Sequence, residues 1–385
     1  MQWQVPLFDP EIDDTEIAAV ADVLRSKWLT MGERTSEFEQ RFAAYVGVPH
    51  AVAMNSATAA LHVALAAVGV GPGDDVVVPS LTFVATANAV RYCGARPVFA
   101  DIESDTCWNI GAAGIEAALT PATRAIVVVH YAGFPCDMPR IMALARERGL
   151  AVVEDDAHAP GATLDGRPMG AWGDAGCFSF FSNKNMTTGE GGMLTTSRSD
   201  VAELARKLRS HGMTTLTLDR HKGHAFSYDV VELGYNYRMS ELNAALGLVQ
   251  LERLPSANAR RALRVTRYRA RLAALPGVTI PFLQHAGESS HHLMPVLLPH
   301  NADRPAVMTH MKDAGVQTSI HYRPIDTFSA YVAAGLGPSD RLPLTHDVGA
   351  RALTLPLYAT MTDEQVDHVC ASLALSLRPA SRAAA

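Results

Sequence analysis

The chain has 385 residues, of which 48% are hydrophobic and 19% charged, and its formal net charge is -6. This length suggests two or three domains of a globular protein. The negative charge argues against a nucleic-acid-binding or polybasic membrane-surface protein, because both need a basic face. The N-terminal sequence lacks the basic and apolar regions of a signal peptide, and no apolar run reaches the roughly 18 residues of a membrane span.

The cysteines are scattered along the chain and lack the CxxC spacing of a metal site. We therefore expect reduced thiols in a cytoplasmic protein, with no metal site and no disulfide bonds. The cysteines are Cys93, Cys107, Cys136, Cys177 and Cys370.

Short β-branched runs alternate with helical segments from about residue 50 to residue 200. This alternation predicts an α/β domain in which a mostly parallel sheet lies between helices. The predicted strands are 75–79, 124–130, 150–154 and 176–181, and the predicted helices are 56–68 and 137–148.

The pattern changes after about residue 255, where short strands mix with helices. We therefore predict a large domain over residues 1–255 and a smaller C-terminal α+β domain over residues 256–385. One helix is predicted just before this part, at 240–251. Within it, the predicted helices are 258–275 and 362–375, and the predicted strands lie near 278 and at 292–298 and 316–320.

Lys184 lies in the segment SFFSNKNMTTGEGGM, between a predicted strand and a loop rich in Gly, Thr and Asn. Ligands of α/β proteins bind at the carboxyl ends of the strands. A lysine that loses its hydration there also loses its proton readily and can form a Schiff base. Most lysines lie on the surface, so this segment alone is suggestive and does not decide the chemistry.

Asp155 lies at the end of a predicted buried strand in VVEDDAHAPG, and His158 follows three residues later. The carboxylate could bind Mg²⁺, act as a base, or pair with a protonated pyridine nitrogen. Asp156 adds a second acid, but neighbours in a strand point to opposite sides, so only one of the two can face a ligand. We favour Asp155.

A helix is predicted to begin in NSATAALHVAL at a polar cap, Asn55 or Ser56. The free N–H groups and the dipole of a helix start favour phosphate binding. Most capped helices bind nothing, so the signal is weak on its own.

Together these segments resemble the DegT/DnrJ/StrS family of sugar aminotransferases, which depend on pyridoxal 5′-phosphate (PLP) and have the aspartate-aminotransferase-like fold. The resemblance covers nearly the whole chain. Further matching segments are WLTMGERTSEFEQRFAAYVG, GDDVVVPSLTFVATANAV, VVHYAGFPCDM, LGYNYRMSELNAALGLVQL, GVQTSIHYRP and LTLPLYATMTDEQV.

The resemblance implies a role for each matching residue. Lys184 would hold PLP, or its amino form PMP, as a Schiff base and move the catalytic proton. Asp155 would face the pyridine nitrogen, His158 would lie beside the ring, and Phe83 would stack on the other face. The phosphate-binding positions would be Ala57, Thr58 and Ser179, together with Asn236 of a neighbouring subunit. Shared sites imply at least a homodimer.

The resemblance also implies a reaction, in which an amino group passes from L-glutamate to a nucleotide-linked keto sugar, giving an amino sugar for glycan, lipopolysaccharide or antibiotic biosynthesis. Relatives with histidine at the lysine position carry out dehydration, so Lys184 favours transamination. The stretch 210–231 resembles relatives that aminate a 4-keto-6-deoxy sugar. The implied substrate-binding residues are Arg238, His321 and Tyr322. A keto-cyclitol acceptor and a non-enzymatic regulator on the same scaffold remain alternatives.

Overall fold

A seven-stranded sheet forms the centre of the computed structural model, which describes residues 3–215 and 227–378. The first nine strands are β1 (His50–Met54), β2 (Asp75–Pro79), β3 (Arg96–Ala100), β4 (Thr123–Val129), β5 (Ala151–Asp155), β6 (Thr163–Leu164), β7 (Arg167–Pro168), β8 (Ala175–Ser179) and β9 (Gly192–Thr196). The order in the sheet is β1-β9-β8-β5-β4-β2-β3, and β6 and β7 form a separate two-stranded ribbon.

Five neighbouring strands of the sheet, β8, β5, β4, β2 and β3, run parallel. Strand β9 is antiparallel to both β8 and β1. Because the carboxyl ends of the parallel strands share one edge, the residues that follow these strands can meet there. The predicted mostly parallel sheet is confirmed.

Helices cover both faces of this sheet. The helices are α1 (Asp14–Ser26), α2 (Glu33–Val46), α3 (Ala57–Ala67), α4 (Ala85–Tyr92), α5 (Ala112–Ala118), α6 (Met138–Arg148), α7 (Ser199–Arg209), α8 (Glu241–Leu272), α9 (Arg304–Asp313), α10 (Ser329–Ala333), α11 (Pro343–Arg351) and α12 (Asp363–Ser376). Alternation along β2 shows the two faces, since Val76 and Val78 pack with α3, α4 and α7, whereas Val77 packs with α5 and α6.

The predicted elements of the large domain agree with the structure to within two residues at their ends. Helix α3 begins where the sequence indicated, with the Ser56 hydroxyl accepting a hydrogen bond from the Ala59 amide. Helix α6 is capped by Asp137, and helix α12 by Thr362. The helix caps and the β-branched residues of the strands were therefore the main basis of this prediction.

The prediction of two helices on either side of residue 255 is wrong. A single helix of 32 residues, α8, runs through Pro255. Proline inside a helix costs about 3 kcal/mol, and this cost made a break the natural expectation. The helix continues because its buried face continues at helical spacing across the proline, through Leu248, Leu251, Leu254, Ala257, Arg261, Val265, Tyr268 and Leu272.

The C-terminal part of the chain has a hydrophobic core of its own, which Val5 joins from the N-terminal segment. Its two strands, β10 (Met294–Leu297) and β11 (Ala352–Leu355), pair antiparallel. The predicted strand at 316–320 is wrong, because only isolated bridges form there, from Val316 and from Ser319. Residue 278 lies beside another isolated bridge. The division at residue 255 stays a prediction, although the boundary falls within α8.

Among the residues that the structure describes, no helix has the length and apolar character that crossing a membrane requires.

Gly192, the first residue of β9, lets the start of α3 approach the sheet. A Cβ atom at this position would lie 2.4 Å from the Ser56 carbonyl carbon and 2.5 Å from the Ala57 nitrogen. We therefore expect Gly192→Ala to lower the free energy of unfolding by about 1–3 kcal/mol, measured by urea denaturation. The control is Gly71→Ala, where an added Cβ meets nothing within 4 Å. Equal stability of the two variants would show that α3 shifts without cost.

Candidate active site

Asp155 is the last residue of β5 and points toward the shared carboxyl edge of the sheet. Its Oδ2 accepts a hydrogen bond from the Thr86 hydroxyl at 2.7 Å, and its Oδ1 accepts one from the Ala157 amide at 3.2 Å. Burial raises the pKa of Asp155, while these hydrogen bonds and the charge of Lys184 act in the opposite direction. These partners thus offset part of the burial penalty on the charged carboxylate, and the net effect is a raised pKa.

Asp156 turns away from this edge and is completely buried. Its Oδ1 lies 3.5 Å from His130 Nε2, but neither carboxyl oxygen has a hydrogen-bond partner among the described residues. Burial and the charges of Glu154 and Asp155 raise the pKa of Asp156 well above its ordinary value. Asp156 is therefore a neutral carboxylic acid behind the site, which supports the choice of Asp155 as the acid that faces a ligand.

Glu154 is the acid of this buried group that binds the neighbouring backbone. Its carboxylate accepts hydrogen bonds from the amides of Gly170, Trp172 and Gly173 at 2.7–3.0 Å. His130, Glu154 and Asp156 converge here, and these residue types can bind a metal ion. The Cys136 amide, however, donates to His130 Nδ1 at 3.0 Å, so the ring carries its proton on Nε2 and directs it at Glu154. Nε2 then has no lone pair for a metal ion.

Lys184 lies in the loop after β8, and its backbone amide donates to the Phe181 carbonyl at 2.9 Å. Its Nζ lies 3.4 Å from Nε2 of His292, a residue just before β10. Burial lowers the pKa of Lys184 to about 8, against the charge of Asp155, which raises it. A substantial fraction of the side chain is then the neutral, nucleophilic amine near neutral pH.

His158 and Tyr322 form a hydrogen-bonded pair beside Lys184. The Ala132 amide donates to His158 Nδ1 at 3.3 Å, and His158 Nε2 lies 2.9 Å from the Tyr322 hydroxyl. Burial and then the charge of Lys184 hold the pKa of His158 well below its ordinary value. The ring is therefore neutral, with its proton on Nε2 and directed at Tyr322.

Aromatic rings surround this pair. The Phe83 ring lies 6.1 Å from the Tyr322 ring, centroid to centroid, and is 58% exposed. His321 is held by Thr354, whose hydroxyl lies 3.0 Å from Nδ1. Burial, and next the charge of Lys184, lower the pKa of His321 to about 4. Phe83, His158, His321 and Tyr322 thus meet in one site with Lys184.

The start of α3 is the candidate phosphate site. The amides of Ala57 and Thr58 have no hydrogen-bond partner among the described residues, as expected for the first turn of a helix. Ser179 pairs with Gly192, and Gly192 lies against the backbone of Ser56 and Ala57. The sheet register therefore brings Ser179 close to the helix start.

Arg238 and Asn236 lie on the segment that borders this helix start. Tyr237 accepts a hydrogen bond from the Asn55 amide at 2.9 Å, and Arg238 bridges to Met54. Arg238 Nη1 is buried without a hydrogen-bond partner in the described part of the chain. Burial and the charge of Arg209 lower the pKa of Arg238. Asn236 is exposed, and residues 216–226, within the stretch used to predict the acceptor, lie outside the described residues.

A model of the DegT/DnrJ/EryC1/StrS aminotransferase family matches residues 10–374 of the chain. The chain is 42% identical over 371 residues to the spore coat polysaccharide biosynthesis protein SpsC of Bacillus subtilis (strain 168), covering 95% of each. This chain belongs to the family. It is an aminotransferase that depends on PLP, so the family, enzyme class and cofactor expected from the sequence are confirmed.

Solved structures show the same fold. The aminotransferase TlmJ from Streptoalloteichus hindustanus is 36% identical with a TM-score of 0.89, covering 97% of this chain and 99% of that chain. The PLP form of the putative sugar aminotransferase Spr1654 from Streptococcus pneumoniae is 33% identical with a TM-score of 0.89, covering 97% and 98%. DesI, solved in the presence of its TDP-sugar product, is 34% identical with a TM-score of 0.86, covering 97% and 92%.

The residues present in this chain fit PLP. An amine of lowered pKa, a buried carboxylate and a helix start with free amides match the aldehyde, the ring nitrogen and the phosphate of the cofactor.

Sequence reasoning missed three residues of this site, Thr86, Asn185 and His292. Thr86 follows Phe83 by three residues, and it could have been found by asking which donor holds Asp155. His292 follows Lys184 by 108 residues, and no local pattern connects the two.

The neutral state of Asp156 predicts a dependence of stability on pH. Its folded-state pKa is raised, so stability is fully present below the ordinary carboxyl pKa and falls as pH rises above it. The Asp156→Asn variant lacks this loss of stability with rising pH. As pH rises above the ordinary carboxyl pKa, the variant should gain stability relative to the wild type, by at most about 1.4 kcal/mol per pH unit, in urea denaturation at each pH. Exposed Asp22→Asn is the control, and parallel pH profiles for Asp156→Asn and the wild type would mean that Asp156 is ionised.

Proposed function

We propose that this enzyme transfers the amino group of L-glutamate to a nucleotide-linked keto sugar, with the C4 keto group of a 4-keto-6-deoxy sugar as the acceptor. The product would be an amino sugar for glycan, lipopolysaccharide or antibiotic biosynthesis. The observation that carries the proposal is the half-buried Lys184 amine, whose pKa is lowered to about 8, in one site with Asp155. The nucleotide-sugar part rests on relatives such as DesI, which was solved with a TDP-sugar product.

Bound PLP supplies an electron sink that stabilises negative charge on the carbon bearing the amino group. Lys184 Nζ would hold the cofactor through its aldehyde, and its free amine would accept the proton from that carbon and return it. Asp155 would face the pyridine nitrogen, where its carboxylate would favour the protonated ring. Thr86 orients Asp155 through the 2.7 Å hydrogen bond.

The remaining residues position the cofactor and exclude water. His158 and Phe83 would lie on the two faces of the ring. The helix-start amides of Ala57 and Thr58 would donate to the phosphate together with the Ser179 hydroxyl, since a helix N-terminus favours negative charge.

Three residues are proposed to bind the substrate. The Arg238 guanidinium, whose buried Nη1 has no partner among the described residues, would bind an anionic group, either the donor carboxylate or the pyrophosphate of the sugar nucleotide. Tyr322 accepts from His158, so its own hydroxyl proton is free to donate to a ligand. His321 lies next to Tyr322, with its ring 4.9 Å away.

A second copy of the chain is proposed to complete each site. Asn236 is exposed and has no side-chain hydrogen bond among the described residues. The segment before it exposes apolar side chains, and Leu233 is 87% exposed. Large apolar side chains on a surface favour burial against another protein surface. A homodimer would cover them and bring Asn236 to the partner's phosphate site.

Acceptor specificity tests the proposed function directly. With PLP and L-glutamate, we expect the protein to aminate a TDP-linked 4-keto-6-deoxyhexose and not a keto-cyclitol (an inosose), measured by mass spectrometry of the products. Lys184→Ala is the inactive control, and borohydride should attach the cofactor to Lys184 alone. Preference for the cyclitol would mean that the acceptor is a keto-cyclitol. A labelled lysine elsewhere would contradict the site assignment.

Mixed dimers test whether Asn236 acts across the subunit interface. We expect Asn236→Ala to weaken PLP binding by about ten- to a hundredfold, because a hydrogen bond to a charged group contributes roughly 1.5–3 kcal/mol. In a hybrid of one Lys184→Ala subunit and one Asn236→Ala subunit, both changes fall on one site and the other site is intact. The hybrid should keep about half of the wild-type activity, with wild-type PLP affinity.

The matched control is a hybrid of wild-type and Lys184→Ala subunits, which also has one intact site. If Asn236 acted within its own subunit, the only site with a lysine would lack the amide, and activity would require excess PLP. That result, or a fully active monomer, would contradict the shared site.

A further inference from the structure

Among the described residues, the side chain of His292 contacts the amine of Lys184, at 3.4 Å between Nε2 and Nζ. A ring nitrogen can donate or accept a hydrogen bond, and only the tautomer decides which. The hydrogen bonds behind His292 determine that tautomer.

Asn185, the residue after Lys184, has a side-chain amide whose orientation is fixed. Its Nδ2 lies 2.7 Å from the Ser290 carbonyl oxygen, which can only accept, and 2.8 Å from Asn258 Oδ1. Asn258 is oriented in turn, because its Nδ2 donates to the Pro160 carbonyl at 2.9 Å. The amino group of Asn185 is therefore directed at these two acceptors.

The remaining oxygen of Asn185 lies 3.0 Å from His292 Nδ1. An amide oxygen can only accept, so Nδ1 of His292 carries a proton. Burial and next the charge of Lys184 hold the pKa of His292 well below its ordinary value, so the ring is neutral. A neutral ring with a proton on Nδ1 has a lone pair on Nε2, and this lone pair points at Nζ.

We propose that His292 is a positioning residue for Lys184, whose Nζ donates a hydrogen bond to the Nε2 lone pair, and that Asn185 selects the tautomer that presents this lone pair. The proposal rests on the proposed role of Lys184 and deepens it. During the reaction Lys184 must release the cofactor and hold a proton on Nζ. An acceptor at Nε2 stabilises that ammonium in a buried place and directs its remaining protons away from His292.

The neighbouring His158 has the opposite tautomer. Its Nδ1 accepts from the Ala132 amide, so its proton is on Nε2 and is directed at Tyr322. The two rings lie 4.5 Å apart, centroid to centroid. Of these two rings, His292 is thus the one that offers a lone pair to Lys184. The other titratable or charged groups that act on Lys184 or His292 are Asp155, His158, His321 and Arg261.

The test measures the amine of Lys184 without cofactor. Purified full-length protein, freed of PLP, is treated with trinitrobenzenesulfonate at a series of pH values, and the modified peptide is quantified by mass spectrometry. In the wild type, the labelling rate of Lys184 should have its midpoint near pH 8, the pKa given by its surroundings. Normalising to the rate at high pH removes differences in access to the site.

His292→Phe keeps a ring of similar shape and removes the acceptor, so its midpoint should fall by about one pH unit, with about tenfold faster relative labelling near pH 6. His292→Gln restores an acceptor oxygen and should return the midpoint to the wild-type value. His291→Asn is the matched control, because it removes the adjacent imidazole, and asparagine tolerates the φ of 53° there.

A second measurement does not depend on any variant. Nitrogen chemical shifts of wild-type protein labelled with ¹⁵N-histidine should show a neutral His292 with its proton on Nδ1. A neutral His292 protonated on Nε2, or equal midpoints for His292→Phe and the wild type, would overturn the proposal. Failure of the proposed function would instead appear as absent amino transfer by PLP-loaded wild type, which leaves these cofactor-free measurements unchanged.

Discussion

The mutual stabilisation of Asp155 and Lys184 is the interaction on which the site depends. Both side chains lose most of their hydration at the carboxyl edge of the sheet, and burial disfavours the charged form of each. Each charge offsets part of that penalty for the other. The balance leaves a carboxyl group whose charged form is stabilised by Thr86 and an amine that can lose its proton near neutral pH, and PLP chemistry uses both.

Three consecutive acids at the end of β5 could have repelled one another. Strand geometry separates them, because Glu154 and Asp156 face the interior while Asp155 faces the site. Glu154 accepts three backbone amide hydrogen bonds, and burial raises the pKa of Asp156, which favours its protonated form. Asp155 is thus the acid that faces the site, and Glu154 behind it holds the loop at 170–173 against the strand.

The site combines distant parts of the chain. The sheet supplies Asp155 and, after β8, Lys184, whereas His292 and Tyr322 come from the C-terminal part. Neutral histidines line the amine, and their tautomers differ because their backbone and amide partners differ. Access to the amine therefore depends on how the C-terminal part packs against the large sheet.

The sequence by itself determined the local structure and the chemical class. Strand and helix positions followed from β-branched runs and caps such as Ser56 and Asp137, and the order of motifs around Lys184 and Asp155 indicated the family. Such features depend on neighbours along the chain, so the sequence alone is enough to recognise them. The tertiary structure alone decided that α8 continues through Pro255, that Asp156 is buried and neutral, and that His292 meets Lys184 across 108 residues. These outcomes depend on packing, desolvation and hydrogen-bond direction between distant segments, and no local pattern in the chain records them.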